Sequence, residues 1–305
     1  KSIIVGNLSV GGTGKTPHVD YLIKHLIDQN FKVSTLSRGY GRSSRGPLIA
    51  TDFSTADEIG DEPAQYKMRY RSKIEVVVAE KRIDGVELIQ NQFPQNQVIL
   101  LDDAYQHRAV KAGINILITP YDDLFTDGFM LPTGNLREWA SGKKRADCVI
   151  VSKSPPNVSD EEKQSVFKNL QIKSKPIFFS SIAYSDLVEI NGSDIKDIEQ
   201  VLLVTGIGNP TPLVKYWEQK ASVHHISFPD HHNFTANDIA AIYEKIGTFT
   251  SPNKAIITTE KDFMRLRTFS EVMESKIAWY YQPITINIDN QLTFNKLIDE
   301  YVTEI

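Results

Sequence analysis

Gly11-Gly12-Thr13-Gly14-Lys15-Thr16 is the stretch of this chain whose residue types and spacing could do chemistry on a phosphate. Its glycines let backbone N–H groups approach an anion closely, the Lys15 ammonium can reach terminal phosphates, and the Thr16 hydroxyl can ligate Mg²⁺. Such a loop works between a strand and a helix N-terminus, where the helix dipole adds partial positive charge. Both flanking patterns are present. Ile3, Ile4 and Val5 form a short apolar run before the loop, and Val19, Leu22, Ile23, Leu26 and Ile27 recur at helical spacing after it. Pro17 is compatible with a first helical turn, whose N–H groups have no helical acceptor.

The loop departs from the general G-x-x-x-x-G-K-[ST] pattern, because Ser9 stands where the first glycine would be. Val10 stands where membrane-partitioning ATPases carry a second lysine, which disfavours that subclass. The adjacent carboxylates Asp102 and Asp103 follow the apolar run Val98 to Leu101, so they should emerge at the carboxyl end of a strand, where open α/β sheets place ligands. One could hold Mg²⁺ against the phosphates and the other could accept a proton from an attacking hydroxyl. Two strand-ending caps would read the same way. His107 could touch substrate or serve only as a hydrogen-bonded loop residue. Asp230, His231 and His232 precede a helix that Thr235 could cap. The histidine pair lacks partners at metal-ligand spacing, so an acid/base or charge-relay histidine fits better than a metal site. Thr258-Thr259-Glu260-Lys261-Asp262 could line a nucleotide cleft, but the residues favour a capped helix start. The Asn-Lys-x-Asp signature of guanine recognition is absent, which favours ATP.

These residues need a scaffold of strands with their loops at one end. Lys32 to Leu36, Ile74 to Val78, Ile114 to Ile118 and Cys148 to Val151 join the runs already named, so the first half alternates strand and helix in the manner of a parallel α/β sheet. The expected fold is α/β, a P-loop NTPase-type, mostly parallel sheet with a second, smaller α/β lobe. A boundary is expected near Ser154-Pro155-Pro156, giving a P-loop core at 1–155 and a linker ribbon plus smaller lobe at 156–305. Pro176 to Tyr184 and Leu187 to Ile190 read as the two strands of that ribbon, with Asn191-Gly192 as a turn signal. The rhythm restarts at Val201 to Val204 and continues through Ala255 to Thr258 and Ile284 to Ile288.

With 305 residues, 41% hydrophobic and 24% charged, the chain can bury a full core, and a net charge of -4 argues against nucleic acid as a bulk electrostatic partner. The single cysteine, Cys148, lies in an apolar run, which excludes an intrachain disulfide framework. No run approaches the roughly 18 apolar residues of a spanning helix. The chain starts at Lys1 and enters a core strand almost at once, which raises the expectation of a further N-terminal, membrane-docking segment in a native-length protein.

Taken in order, Gly6 to Pro17, Ser37-Arg38-Gly39-Tyr40-Gly41, Gly60-Asp61-Glu62-Pro63, Asp102-Asp103-Ala104-Tyr105-Gln106-His107 and Leu131 to Glu138 resemble the tetraacyldisaccharide 4'-kinases of lipid A synthesis. Arg145-Ala146-Asp147, Thr205 to Pro210, Asp230-His231 and Thr259-Glu260-Lys261-Asp262 continue the series, so the resemblance covers nearly the whole chain. Ala104 and Pro132-Thr133-Gly134-Asn135 are mild departures. The resemblance implies ATP- and Mg²⁺-dependent phosphorylation of the 4'-hydroxyl of an acylated glucosamine disaccharide 1-phosphate, giving lipid IVA at the cytoplasmic face of the bacterial inner membrane. It implies two α/β lobes joined by a β-ribbon, an active site in the cleft, and a membrane surface as partner. By the same resemblance Gly11, Gly12, Thr13, Gly14, Lys15 and Thr16 bind ATP, with Lys15 also catalytic and Thr16 on the metal. Asp102 is then the base paired with His231, and Asp103 assists the metal. The residues alone allow Asp102 and Asp103 in either order. A P-loop ATPase switch that governs partner or membrane binding is the alternative from another class.

Overall fold

Ile3, Ile4 and Val5 are buried on both faces, as a strand flanked by helices must be, and they form the middle of β1 (Ser2–Asn7). The computed structural model describes residues 1–304 apart from 193, 194 and 196. Two units divide the chain: Lys1–Ser54, Tyr66–Ala183 and the stretch from Ile284 make the first, and Thr55–Gln65 with Tyr184–Pro283 make the second.

In chain order the first unit contributes β2 (Val33–Ser37), β3 (Leu48–Ile49), β4 (Ile74–Val78), β5 (Val98–Asp102), β6 (Ile114–Pro120), β7 (Cys148–Ser152) and β8 (Ile177–Tyr184). The second contributes β9 (Val188–Glu189), β10 (Gln200–Thr205), β11 (Ser222–Ser227), β12 (Lys254–Thr259) and β13 (Ala278–Gln282), after which β14 (Ile284–Ile288) returns to the first. The nine-stranded sheet runs β14-β8-β7-β6-β1-β5-β2-β4-β3. It is parallel from β8 to β4, and the two-residue edge strand β3 is antiparallel. β5 and β6 lie on opposite sides of β1, so the strand order reverses there. That reversal opens a crevice at the carboxyl ends, where such sheets bind ligands.

The helix Lys15–Asp28 buries Val19, Leu22, Ile23 and Leu26. Its outer side meets the C-terminal helix Gln291–Thr303, where the Tyr21 hydroxyl donates to Asn295 Oδ1 at 2.7 Å and the ring lies 6.0 Å from that of Phe294. In the second unit the sheet order is β11-β10-β12-β13-β9, parallel except for β9. Alternate residues of β10 and β12 serve opposite faces. Leu202, Val204 and Ile256 enter one apolar cluster, while Val201, Leu203, Ala255 and Ile257 enter another.

Three sequence assignments change. The segments read as a ribbon, 176–184 and 187–190, lie in different sheets, and β8 takes β14 as its neighbour instead. Ile284 to Ile288, read with the second lobe, therefore closes the first unit. Asp289 fixes this return by accepting the Phe179 N–H at 2.6 Å and donating its own N–H to Phe179 O at 2.9 Å. The division at 155/156 differs from the observed crossing at 183/184 for the same reason, since β8 pairs in parallel with β7.

Candidate active site

β1 ends at Asn7, and the glycine-rich loop carries the chain to the N-terminus of the helix Lys15–Asp28. Gly11 has φ +93° and Gly14, the helix N-cap, φ +87°, a region that a Cβ disfavours. A Cβ at Gly11 or Gly12 would meet nothing within 4 Å, so the loop has open space in front of it. The loop is shaped from within by Asn7, whose amide donates to Ser9 O at 2.8 Å and Thr13 Oγ1 at 3.0 Å. Lys15 Nζ lies 3.3 Å from Asn7 Oδ1 and 3.5 Å from Asp103 Oδ1. The expected phosphate-loop residues therefore stand in the strand–loop–helix setting their chemistry requires.

Asp102 and Asp103 sit at the end of β5 and diverge. Asp102 is 4% exposed and its Oδ2 accepts the Tyr66 hydroxyl at 2.9 Å. Asp103, turned by φ +48°, is held by Arg137, whose Nη1 donates to both carboxylate oxygens at 3.0 and 2.9 Å. Burial alone would raise the Asp103 pKa, but the charges of Lys15 and Arg137 outweigh it and hold the carboxylate below its usual range. Arg137 is itself anchored beside the loop through its N–H to Leu8 O at 2.7 Å, next to the bond from Val10 N–H to Asn135 O at 2.7 Å.

Arg82, to which the sequence reading gave no role, is buried in this turn. It donates to Ala79 O at 2.7 Å and to Asp102 O and Asp103 O at 3.3 Å each, while its Nε has no partner among the described residues. Burial pulls its pKa down to about 10 against the opposing pull of the two aspartates. Its charge, with burial first and Arg38 third, keeps the His107 pKa below the usual 6.5. Gln106 and Glu138 were missed as well. The Gln106 amide donates to Asn7 O at 2.8 Å and to Glu138 Oε1 at 3.2 Å.

In the second unit His231 has φ +59° and donates its N–H to Gly206 O at 3.1 Å. Its Nδ1 lies 2.7 Å from Asp61 Oδ2 and its Nε2 lies 3.0 Å from Lys261 Nζ. An ammonium can only donate, so in the neutral ring Nε2 accepts from Lys261 and the Nδ1–H is given to Asp61. Asp61 is 1% exposed at the start of the helix Asp61–Tyr70, and Arg265 grips it through Nε at 2.7 Å and Nη2 at 3.0 Å. Lys261 is presented by a short helix that Thr259 caps, as its sequence suggests. His232 has a different occupation, bonded to Asp238 at 3.1 Å and stacked 4.6 Å from Phe228. Asp61 carried little signal of its own, because an acidic residue before Glu-Pro reads as an ordinary helix start.

The pair sets a pH dependence. Hydrogen bonding to Asp61 raises the His231 pKa above its ordinary 6.5, against burial and the Lys261 charge. Burial pushes Asp61 up, but His231 and Arg265 outweigh it and hold it below 3.8. The histidine's contribution to stability is therefore complete below pH 6.5 and lost as pH rises through the raised value. The aspartate's contribution is present above pH 3.8 and lost as pH falls through the lowered one. The melting temperature of wild type should exceed that of His231→Gln by more at about pH 5.5 than at about pH 8.5. A difference that grows with pH would mean the histidine is neutral throughout.

For Mg²⁺ the donor set fits. Thr16, next to Lys15 in the first turn of the helix, and Asp103, 3.5 Å from Lys15 Nζ, are hard oxygen donors, and no group of three His, Cys, Asp or Glu residues suited to a metal occurs among the described residues. Mg²⁺ bound mainly through phosphate oxygens and water needs no more than one or two protein ligands.

A family model described as Tetraacyldisaccharide-1-P 4'-kinase matches residues 1–303. Among curated relatives, the tetraacyldisaccharide 4'-kinase of Flavobacterium johnsoniae is 44% identical over 99% of this chain and 87% of its own length. That of Bacteroides fragilis is 42% identical over 99% and 84%. Among solved structures, LpxK from Aquifex aeolicus in complex with ATP superposes with a TM-score of 0.74 at 27% identity, covering 98% of this chain and 87% of that one.

Proposed function

Because the chain belongs to the tetraacyldisaccharide-1-P 4'-kinase family, we propose that it transfers the γ-phosphoryl group of ATP to the 4'-hydroxyl of a tetraacylated glucosamine disaccharide 1-phosphate, giving lipid IVA. The observation that carries this reading is the open glycine loop over a helix N-terminus with the Lys15 ammonium beside it, in a chain similar along its length to an ATP-bound kinase.

Backbone amides of the loop and the Lys15 ammonium would hold the phosphates and meet the charge that develops on the transferring group. When bound, Mg²⁺ would supply Lewis-acid neutralisation of the phosphate oxygens, with Thr16 and Asp103 as its protein ligands. Asp102 stands near that same end of β5, and the sequence expectation makes it the base paired with His231. The geometry favours a different division. Asp61 fixes the tautomer of His231 and leaves Nε2 as the basic atom, so with Lys261 turned from Nε2 to its other partner, Asp230, this pair is the better proton acceptor for the attacking hydroxyl, and Asp102 is assigned to the phosphate and metal side.

Acyl chains require a surface that tolerates lipid. Phe53, Phe129, Leu131 and Trp139 are exposed in the first unit, and they support docking on the cytoplasmic face of the inner membrane. No helix among the described residues is long and apolar enough to cross a membrane.

The test incubates the protein with ATP and an acylated glucosamine disaccharide 1-phosphate in detergent micelles and follows the lipid by mass spectrometry. A gain of one phosphate with equimolar ADP is expected. Release of inorganic phosphate with unchanged lipid would instead make the protein an ATPase switch.

A further inference from the structure

Two buried side chains are bonded to backbone carbonyls of the glycine loop. We propose that His18 and Ser152 are positioning residues that aim the Gly14 and Lys15 amides at the phosphates; the inference rests on the ATP-binding reading above. His18 is 3% exposed, with Nδ1 2.6 Å from Gly14 O and Nε2 2.8 Å from Ser180 Oγ. A carbonyl only accepts, so Nδ1 carries the proton and Nε2 accepts from the Ser180 hydroxyl. Ser152, fully buried at the end of β7, donates to Thr13 O at 2.7 Å.

In a trans peptide the C=O and the following N–H point in opposite directions. Holding the Thr13 carbonyl against Ser152 turns the Gly14 N–H the other way, and holding the Gly14 carbonyl against His18 does the same for the Lys15 N–H. Two consecutive amides are thereby offered outward, as an anion cradle requires. Glycine is called for at position 14 by its φ of +87°, while a Cβ there would make only ordinary contacts, 3.7 Å from Ser152 Oγ and 3.9 Å from His18 Cε1. Ser152 and Ser180 belong to the paired strands β7 and β8, so the loop geometry is referred to the interior of the sheet. Burial holds the His18 pKa down to about 4, which keeps the ring neutral and its tautomer fixed near neutral pH.

Ser152→Ala takes from the Thr13 carbonyl its side-chain donor, and His18→Leu takes from the Gly14 carbonyl the second donor it has beside the first intrahelical N–H. His18→Leu and Ser152→Ala should each weaken ATP affinity and raise the KM for ATP roughly 10- to 100-fold, with the KM for the lipid acceptor unchanged. His18→Gln, whose amide can donate to Gly14 and accept from Ser180, and Ser152→Thr, which keeps the hydroxyl, should recover most of the loss. Binding would be measured with a fluorescent ATP analogue, kinetics against both substrates, and folding by the nucleotide-free melting temperature. Unchanged ATP affinity in the deletion variants would overturn the proposal. So would equal losses toward both substrates without rescue, which is the signature of a purely structural role. Should His18→Leu fail to fold, Ser152→Ala and its Thr counterpart decide the question alone. Failure of the wild-type protein to bind the analogue would instead remove the ATP reading.

Discussion

Lys15→Ala is expected to reduce kcat by about 10²–10³-fold at saturating ATP, the scale on which a site loses one preorganised electrostatic partner of a developing charge. Lys15 Nζ is held beside the loop by Asn7 and Asp103. The substitution should leave the fold intact, because Asp103 keeps Arg137 on both of its oxygens. Thr16→Ala should also fall, but with a raised Mg²⁺ requirement, which separates loss of a metal ligand from loss of the ammonium. Single-turnover transfer to the lipid acceptor, followed together with the melting temperature, checks both. Near-normal turnover of Lys15→Ala would remove the glycine loop from the chemistry.

The contrast between what the sequence showed and what it hid follows from the range of the interactions concerned. The glycine loop was legible because its determinants are local: strand, turn and helix patterns within 28 residues. The same holds for β5, whose apolar run ends in Asp102-Asp103. β11 and β13 left no usable pattern. The first is a polar edge strand with most of its residues exposed, and the second is an aromatic run, Ala-Trp-Tyr-Tyr-Gln, that fits a helix or a loop as well as a strand. β14 was legible as a strand and illegible as to sheet, since its pairing with β8 joins residues more than 100 positions apart. The His231 partnership was hidden in the same way. Asp61 lies 170 positions from it in sequence, and no periodicity connects them. Arg82 was hidden by type, because an arginine in a charged helix gives no sign that its guanidinium is buried.

His231→Ala and Asp61→Asn should each lower kcat by about 10²–10⁴-fold, the usual worth of general-base help, while ATP affinity stays near wild type. The two residues share a 2.7 Å hydrogen bond, so removing either disables one unit, and the double variant should lose far less than the product of the single effects. The pH profile gives an independent reading. A base must be unprotonated, so the acid limb of kcat should rise through the His231 pKa, which Asp61 holds above 6.5. In Asp61→Asn the carboxylate that favours the imidazolium is gone, and the limb should move to lower pH. Asp102→Asn separates the two assignments of the base. If Asp102 serves the phosphate and metal side, its variant should raise the Mg²⁺ requirement, leave the acid limb in place and combine nearly multiplicatively with His231→Ala. If Asp102 and His231 are instead the pair that the resemblance implies, their cycle will be the non-additive one, and Asp61→Asn will lose activity only in step with its melting temperature.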